Sequence, residues 1–533
     1  MQFSRATTLK SFENKAALTF LKENYAFIFM FMNLSLALFL RLYNLSTVPA
    51  GLNNDEAVNG VDAFAIAHTL RDHHGNFLPP MLESYGDWAS PALTYLTVPF
   101  VWLLGLSEFS VRLPVALAGV ASVFLMYLLV KNFTARKDLA LLASFLLSIM
   151  PWHIISSRWA IPPNIVCFFL LLLLAAFCLV PDTQPRLWKY GLITLAAVLA
   201  TYSYPTQKMF IPMLLGAFCL VDLAKKLPWK QLIQKYLIIG VPYLLLVSPI
   251  YLLTLLDPGK YNFRFSAVSI FSLKSNPVLE FSSRYISYFE LDFNFGKGIV
   301  AYNFLAVFYY AGIVFCIYSL FSQKPFIIPK PVSVLLLAWL FIYPIAASLT
   351  IDYYYNTRVI HGFPLLIIFS VIGLAALLNL VKKRVIAVCL YAGVWAIAAV
   401  YLLNFSNLYF NYYPEITAQG FQYGVRDYQE YLLENDSKFS SVKVDTRTNS
   451  PYIYYLFYSE KDPRQYNYAE NNSGRGSASG WQPVSKLGKY NFDTIAPEEL
   501  AGATEIYAVK DKADFTWYKV YAKDSTWYVV RQF

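Results

Sequence analysis

Charge is scarce in this chain. Of its 533 residues only 14% are Asp, Glu, Lys or Arg, and histidine and cysteine occur five times each. These shortages exclude several kinds of protein. There is no Gly-rich stretch of the kind that cradles a nucleotide phosphate. His73 and His74 are adjacent rather than one helical turn apart, and no HExxH-type spacing occurs, so no metal ligands are assigned. No cofactor is required; a divalent metal is possible but not indicated. Cys167, Cys178, Cys219, Cys316 and Cys389 all lie in apolar runs and none in the polar tail, which argues against a disulfide framework. No internal repeat is visible. No small-residue cleavage site follows the first apolar run, so that run reads as a retained span.

What the chain has is apolar surface. It is 57% hydrophobic and 18% aromatic, with mean hydropathy +0.44. A soluble protein of this size cannot carry that composition, and a polytopic helical membrane protein can. Residues before Phe405 hold 29 Lys and Arg against 17 Asp and Glu, whereas the remainder holds 14 against 16. The basic excess therefore belongs to the membrane part, where it sets orientation, and does not imply nucleic acid.

Apolar runs predict spans near 24–42, 110–130, 139–154, 164–180, 190–204, 209–222, 237–256, 300–320, 332–350, 359–381 and 385–404, about 11 transmembrane helices. The segment 91–105 is a twelfth candidate. If it does not span, Lys131/Arg136/Lys137, Arg186/Lys189, Lys225/Lys226/Lys230/Lys235, Lys324/Lys330 and Lys382/Lys383/Arg384 share a side with the N-terminal Arg5, Lys10, Lys15 and Lys22. The positive-inside rule favours that arrangement, with 91–105 lying at the opposite interface. The expected location is the plasma membrane, multi-pass, with a cytoplasmic N-terminus. Two long loops, 43–109 and 257–299, and the tail 405–533 then fall on the extracytoplasmic side. The second loop carries Arg264, Arg284, Glu290, Asp292 and Lys297.

Two domains are expected: an all-α membrane domain, 1–404, and a small extracytoplasmic α/β domain, 405–533. The tail has β-rich stretches at 441–444, 505–509 and 527–530, helix-like runs around 416–434, and a Gly/Ser/Asn-rich loop at 471–480.

The chemistry-bearing run is Asn53-Asn54-Asp55-Glu56-Ala57-Val58-Asn59, two acids at the membrane edge. Ionisable groups at that depth are costly and mark functional sites. Asn53 or Asn54 would cap a helix opening with Asp55 and Glu56. Neighbours on a helix point about 100° apart, so one carboxylate can face a site while the other supports it. An acid at a helix N-terminus stays ionised, as a general base must. Gly75-Asn76-Phe77-Leu78-Pro79-Pro80 and Gly86-Asp87-Trp88-Ala89-Ser90-Pro91 connect two amphipathic pieces of the first loop. Asp87 is either a second acid near the site or a turn aspartate before a proline-started helix. Glu108 and Arg112, at i and i+4, suit a helical ion pair, structural or orienting a lipid phosphate. Arg158, Lys208, Arg358 and His361 end spans on the outer face. Snorkelling accounts for any one of them, and convergence on a phosphate accounts for several.

Residues 35–165 resemble the polyprenyl-phosphate-dependent GT-C glycosyltransferases of the protein O-mannosyltransferase and aminoarabinose transferase superfamily. The matching pieces are Asn54-Asp55-Glu56-Ala57, Leu104-Gly105 with Glu108-Phe109-Ser110-Val111-Arg112-Leu113-Pro114, and Ser157-Arg158-Trp159-Ala160. The resemblance implies an integral membrane enzyme that moves a sugar, with inversion, from a polyprenyl-phosphate donor to an extracytoplasmic acceptor. The acceptor would be a protein, a lipid or a glycan. It also implies interfacial helices in the first loop. By position Asp55 corresponds to the family's catalytic acid. Glu56, Asp87, Glu108 and Arg112 would support it, and Arg158, Lys208, Arg358 and His361 would hold the donor phosphate. Pro162-Pro163-Asn164 stands where aminoarabinose transferases carry a second, metal-holding aspartate. Two rivals are a lipid-linked sugar flippase, which would want polar groups at mid-membrane, and a glycan-binding scaffold.

Overall fold

A computed structural model describes residues 24–85, 87–178, 187–296, 300–323, 327–448, 450–465, 484–511 and 513–532. Arg5, Lys10, Lys15 and Lys22, together with Gly86, Arg186, Lys297, Lys324 and the loop 471–480, lie outside the described residues.

Each predicted span contains a helix among the described residues; positions 179–180 of the fourth lie outside them. Among the described residues seven helices are long and apolar enough to cross a membrane: α1 (Asn24–Leu42), Glu108–Thr134, Gln207–Ala224, Trp229–Leu256, Asn303–Phe321, Lys330–Ser348 and Arg384–Thr417. A pair bent by 42°, Asn356–Gly362 with Pro364–Leu380, forms an eighth candidate. The shorter apolar helices Lys137–Ile149, Pro162–Cys178 and Leu187–Thr201 occupy the other three predicted segments. The long helices carry exposed Leu, Ile, Val and Phe, such as Phe31, Leu245, Val314 and Ile397, and buried apolar residues from the helices form one continuous core. A bilayer explains this double apolarity, because a helix that is apolar all round has no polar face to turn to water.

The first loop folds into α2 (Asn54–Thr69), a hairpin of β1 (Leu82–Ser84) and β2 (Asp87–Ala89), and α3 (Ala92–Leu104), the helix expected at 91–105. Gly105 breaks the chain before α4 (Glu108–Thr134), whose N-cap Ser107 accepts from the Ser110 amide.

The tail carries a six-stranded mixed sheet. Its strands are β3 (Ser441–Asp445), β4 (Lys486–Leu487), β5 (Tyr490–Asp493), β6 (Thr504–Lys510), β7 (Thr516–Lys523) and β8 (Thr526–Arg531), in the order β4-β5-β3-β8-β7-β6. β3 runs parallel to both β5 and β8, and the other pairs are antiparallel. The sequence reading had β3, β6 and β8. It missed β4, β5, β7 and the helix Pro451–Ser459, which is aromatic and buried on most of its surface and so lacks a polar stripe. The expected boundary at 404/405 falls inside a continuous helix, Arg384–Thr417, so the last apolar helix runs straight into the tail.

Candidate active site

Asn53 is the N-cap of α2. Its side chain accepts from the Asp55 amide at 3.0 Å, and the Glu56 carboxylate reaches back to the Asn53 amide at 3.1 Å. This capping box orients the two acids oppositely. Glu56 is fully buried. Its oxygens take two 2.9 Å bonds from Arg112 and one of 2.9 Å from the Ala160 amide. Asp55 is exposed on the other side, though protein surrounds it closely enough to perturb it. Burial raises its pKa above the ordinary aspartate value; nearby Arg264 opposes the rise, and Asp87 and Glu56 reinforce it. The sequence reading expected the helix terminus to keep this acid ionised. In the folded protein desolvation acts against that expectation.

Arg112 does not pair with Glu108, as the i, i+4 spacing suggested. Its guanidinium binds Glu56 and donates to the carbonyls of Leu45 and Pro49 at 3.1 Å and Gly51 at 2.7 Å. A two-point carboxylate partner outcompetes the looser helical neighbour. Glu108 accepts instead from the Tyr458 hydroxyl at 2.9 Å and lies 3.6 Å from Arg426.

The four expected phosphate ligands are held in different ways. Arg158 is fully buried and donates to the carbonyls of Leu40, Asn44 and Val48 at 2.9–3.1 Å, with its plane over Tyr409 and Phe410. It fastens the end of α1 and the following turn through these three carbonyls, and its buried Nε has no hydrogen-bond partner among the described residues. His361 is fully buried between Gln207 (3.0 Å) and the Tyr343 carbonyl (2.8 Å), so it links helices. Arg358 is buried against Asp352 at 2.7 Å and Thr350 at 2.5 Å. Lys208, half-buried at the start of its helix, has no side-chain partner among the described residues and lies within electrostatic reach of Asp87.

A cation not chosen from the sequence joins it. Arg264, in the second long loop, donates to Asp87 at 3.0 Å and lies within electrostatic reach of Asp55. Asp87 sits at the start of β2. The hairpin is anchored to α2 by the Tyr85 hydroxyl, which donates to the Asn54 carbonyl at 3.0 Å. Trp88 and Tyr261 pack with ring centroids 4.6 Å apart, so the two long loops meet beside Asp55. The only clue to Arg264 was a positive charge on the side where orientation disfavours one. An apolar cavity of about 480 Å³ is lined by Pro79, Pro91, Tyr95, Phe169, Leu199 and Tyr202; Pro91 follows the end of β2 by two residues. Tyr202 also begins the turn that carries Lys208.

The tail grips α2 from behind. The Tyr454 hydroxyl donates to the Leu52 carbonyl at 3.0 Å, and the Asn53 side chain donates to Gly420 at 3.1 Å. A Cβ on Gly60 would stand 2.7 Å from the Phe457 ring, and one on Gly51, at φ +85°, 2.3 Å from the Phe421 carbonyl. Only glycine allows these approaches. Among the described residues no three His, Cys, Asp or Glu side chains gather as metal ligands. Asn164 donates to the Trp159 carbonyl at 2.7 Å.

Residues 31–266 match the family model described as "Dolichyl-phosphate-mannose-protein mannosyltransferase". A curated relative, "Putative mannosyltransferase YkcB" of Bacillus subtilis (strain 168), is 34% identical over 137 residues, 25% of this chain and 18% of that protein's length. Among solved structures, ArnT from Cupriavidus metallidurans bound to undecaprenyl phosphate superposes with a TM-score of 0.51 at 14% identity, covering 80% of this chain and 84% of its own. The oligosaccharyltransferase AglB from Archaeoglobus fulgidus, in complex with an inhibitory peptide and a dolichol-phosphate, gives 0.53 at 14% identity, covering 83% and 64%. By architecture and by these matches, the chain is a multi-pass membrane protein of the GT-C fold.

Proposed function

We propose that this protein is a membrane glycosyltransferase that transfers a sugar from a polyprenyl-phosphate donor to an acceptor hydroxyl, with inversion, using Asp55 as base. The observation that carries this reading is the division of labour in Asn54-Asp55-Glu56. Glu56 is saturated by four hydrogen bonds, while Asp55 is left exposed within electrostatic reach of Arg264 and Asp87, and Asp87 in turn is within reach of Lys208.

In this mechanism the polyprenyl tail lies along the apolar cavity and the donor phosphate rests against Lys208 and Arg264. The acceptor oxygen attacks the anomeric carbon as its proton passes to Asp55. The bond between that carbon and the phosphate oxygen breaks, and its electron pair leaves with the phosphate, where the two cations stabilise the added charge. A raised pKa suits Asp55 for this role, because a base whose proton affinity is closer to the working pH is stronger when ionised. No step needs a metal: the base is a carboxylate, the clamp is Lys and Arg, and an amide stands at 164. The site faces the extracytoplasmic side in this proposal, since the basic connections lie at the opposite ends of the helices.

Mannose is the first donor sugar to test, given the description of the matching family. The test is to incubate purified protein in vesicles with radiolabelled polyprenyl-phosphate sugars and an extract of candidate acceptors. Transfer of label from lipid to acceptor is expected. Retention of all label on the lipid, with every sugar tried, would overturn the reading.

A further inference from the structure

The second long loop contains a helix whose polarity is reversed. Pro277–Ser287 starts at Asn276, whose side chain accepts from the Val278 amide at 2.9 Å. Its polar face is turned into the protein. Arg284 is buried, pairs with Glu280, donates to the Ile351 carbonyl at 3.2 Å and lies 4.4 Å over the Tyr353 ring; Ser287 is buried beside it. The opposite face is apolar and open: Val278, Leu279 and Ile286 are 71%, 69% and 63% exposed. At about 100° per residue these three share one side of the helix. In water this arrangement is unfavourable twice, since the charges lose hydration and the aliphatic side chains keep it.

The position of the helix explains the reversal. The Tyr285 hydroxyl donates to the carbonyl of Phe341, an exposed residue of the membrane-spanning helix Lys330–Ser348, at 2.7 Å. The apolar face is thus continuous with the lipid-facing belt. Tyr353, Tyr354 and Tyr355, all exposed, follow the end of that span, and the Tyr353 hydroxyl bonds Ser283 at 2.8 Å. Clustered tyrosines of this kind sit at headgroup depth. The helix has 11 residues, about 16 Å against a hydrocarbon core of about 30 Å, so it can lie in the interface but cannot cross.

We propose that Pro277–Ser287 is a membrane-interface anchor. Val278, Leu279 and Ile286 enter the lipid of the leaflet on the Asp55 side, and Tyr353–Tyr355 mark the headgroup level. The loop that delivers Arg264 to Asp87 is thereby tethered to the bilayer as well as to the first loop. The inference rests on the membrane placement of the chain and not on the transferase reading.

The experiment uses the full chain in phosphatidylcholine vesicles. The five native cysteines are replaced by serine, and a nitroxide is attached in turn to Val278→Cys, Leu279→Cys and Ile286→Cys. Leu246→Cys, on a lipid-facing span, and Glu505→Cys, on an exposed strand, serve as references. The ratio of collisions with oxygen to collisions with a water-soluble nickel chelate is expected to approach that of Leu246 and exceed that of Glu505 several-fold. A ratio like that of Glu505 overturns the anchor. So does dipolar broadening between labels, which would mean that a second copy of the chain covers the face. Should the cysteine-free background fail to fold, a benzophenone amino acid at 286 in the native background tests the same point. A lipid adduct supports the anchor, and a chain–chain adduct or none overturns it.

Discussion

Two clusters of charge meet at the start of α2, where Asp55 and Glu56 are neighbours, and they are built on opposite principles. On the inner side Glu56, Arg112 and Arg158 are fully buried, and their carboxylate and guanidinium groups are tied to one another or to backbone carbonyls. On the outer side Asp55, Asp87, Lys208 and Arg264 keep looser partnerships, and Lys208 has none among the described residues. A buried ion must be saturated because desolvation costs more than a single contact returns. A group intended for a ligand must stay unsaturated. The contrast separates architecture from chemistry more reliably than residue type, since each cluster contains both carboxylates and cations.

The contrast can be broken by mutation. Asp55→Asn should lower transfer by about 10²–10⁴-fold, the range for a general base, while leaving thermal stability and detergent behaviour unchanged; near-normal turnover would remove Asp55 from the base role. The same group should set the acid limb of the pH–rate profile. Transfer falls as Asp55 gains its proton, and because burial raises its pKa the fall should begin above the pH at which an ordinary aspartate, near 3.9, is protonated. A limb at or below that value would argue against Asp55.

On the inner side Arg112→Ala leaves Glu56 buried without its partner. It should cost about 3–5 kcal/mol, read as a loss of folded yield and of melting temperature and not as a selective kinetic defect. A stable Arg112→Ala protein with a raised donor KM would blur the distinction between the clusters. Lys208→Ala and Arg264→Ala should each weaken donor binding by about 1.5–3 kcal/mol, the scale of a hydrogen bond to a charged group, with little change in melting temperature. Arg158→Ala should do the reverse. Tyr458→Phe, which deletes one bond from the tail to Glu108, should have the smallest effect, about 0.5–1.5 kcal/mol of stability by denaturant titration. A much larger loss would mean that the tail holds the first loop more tightly than its hydrogen bonds indicate.

Much of the fold was legible beforehand. Hydropathy and length place a helix in each of the 11 predicted segments, because a bilayer imposes the same requirement on every span and that requirement is local in sequence. The tail was harder to read. β7 alternates weakly, and Pro451–Ser459 is buried against α2, so neither shows the polar–apolar pattern that reveals an element exposed on one face. In the site the Asp-Glu pair stood out because acids are rare at a membrane edge, and helical geometry separated the two carboxylates in advance. Three of the four expected phosphate ligands are buried with protein partners. Arg158, Arg358 and His361 end spans just as Lys208 does, and nothing local distinguishes a side chain that packs into the protein from one that stays open.

The sequence by itself determined that the chain is a helical membrane protein, that its excess of basic over acidic residues lies before Phe405, and that Asp55 and Glu56 point about 100° apart on a helix. These follow from composition, spacing and the 100° turn of a helix. Tertiary structure decided the rest. It chose Glu56 for Arg112 across 56 positions, sent Glu108 to Tyr458 across 350, and brought Arg264 to Asp87 across 177. Which charges are neutralised depends on desolvation and on partners distant in the chain, and both come into being only when the helices pack.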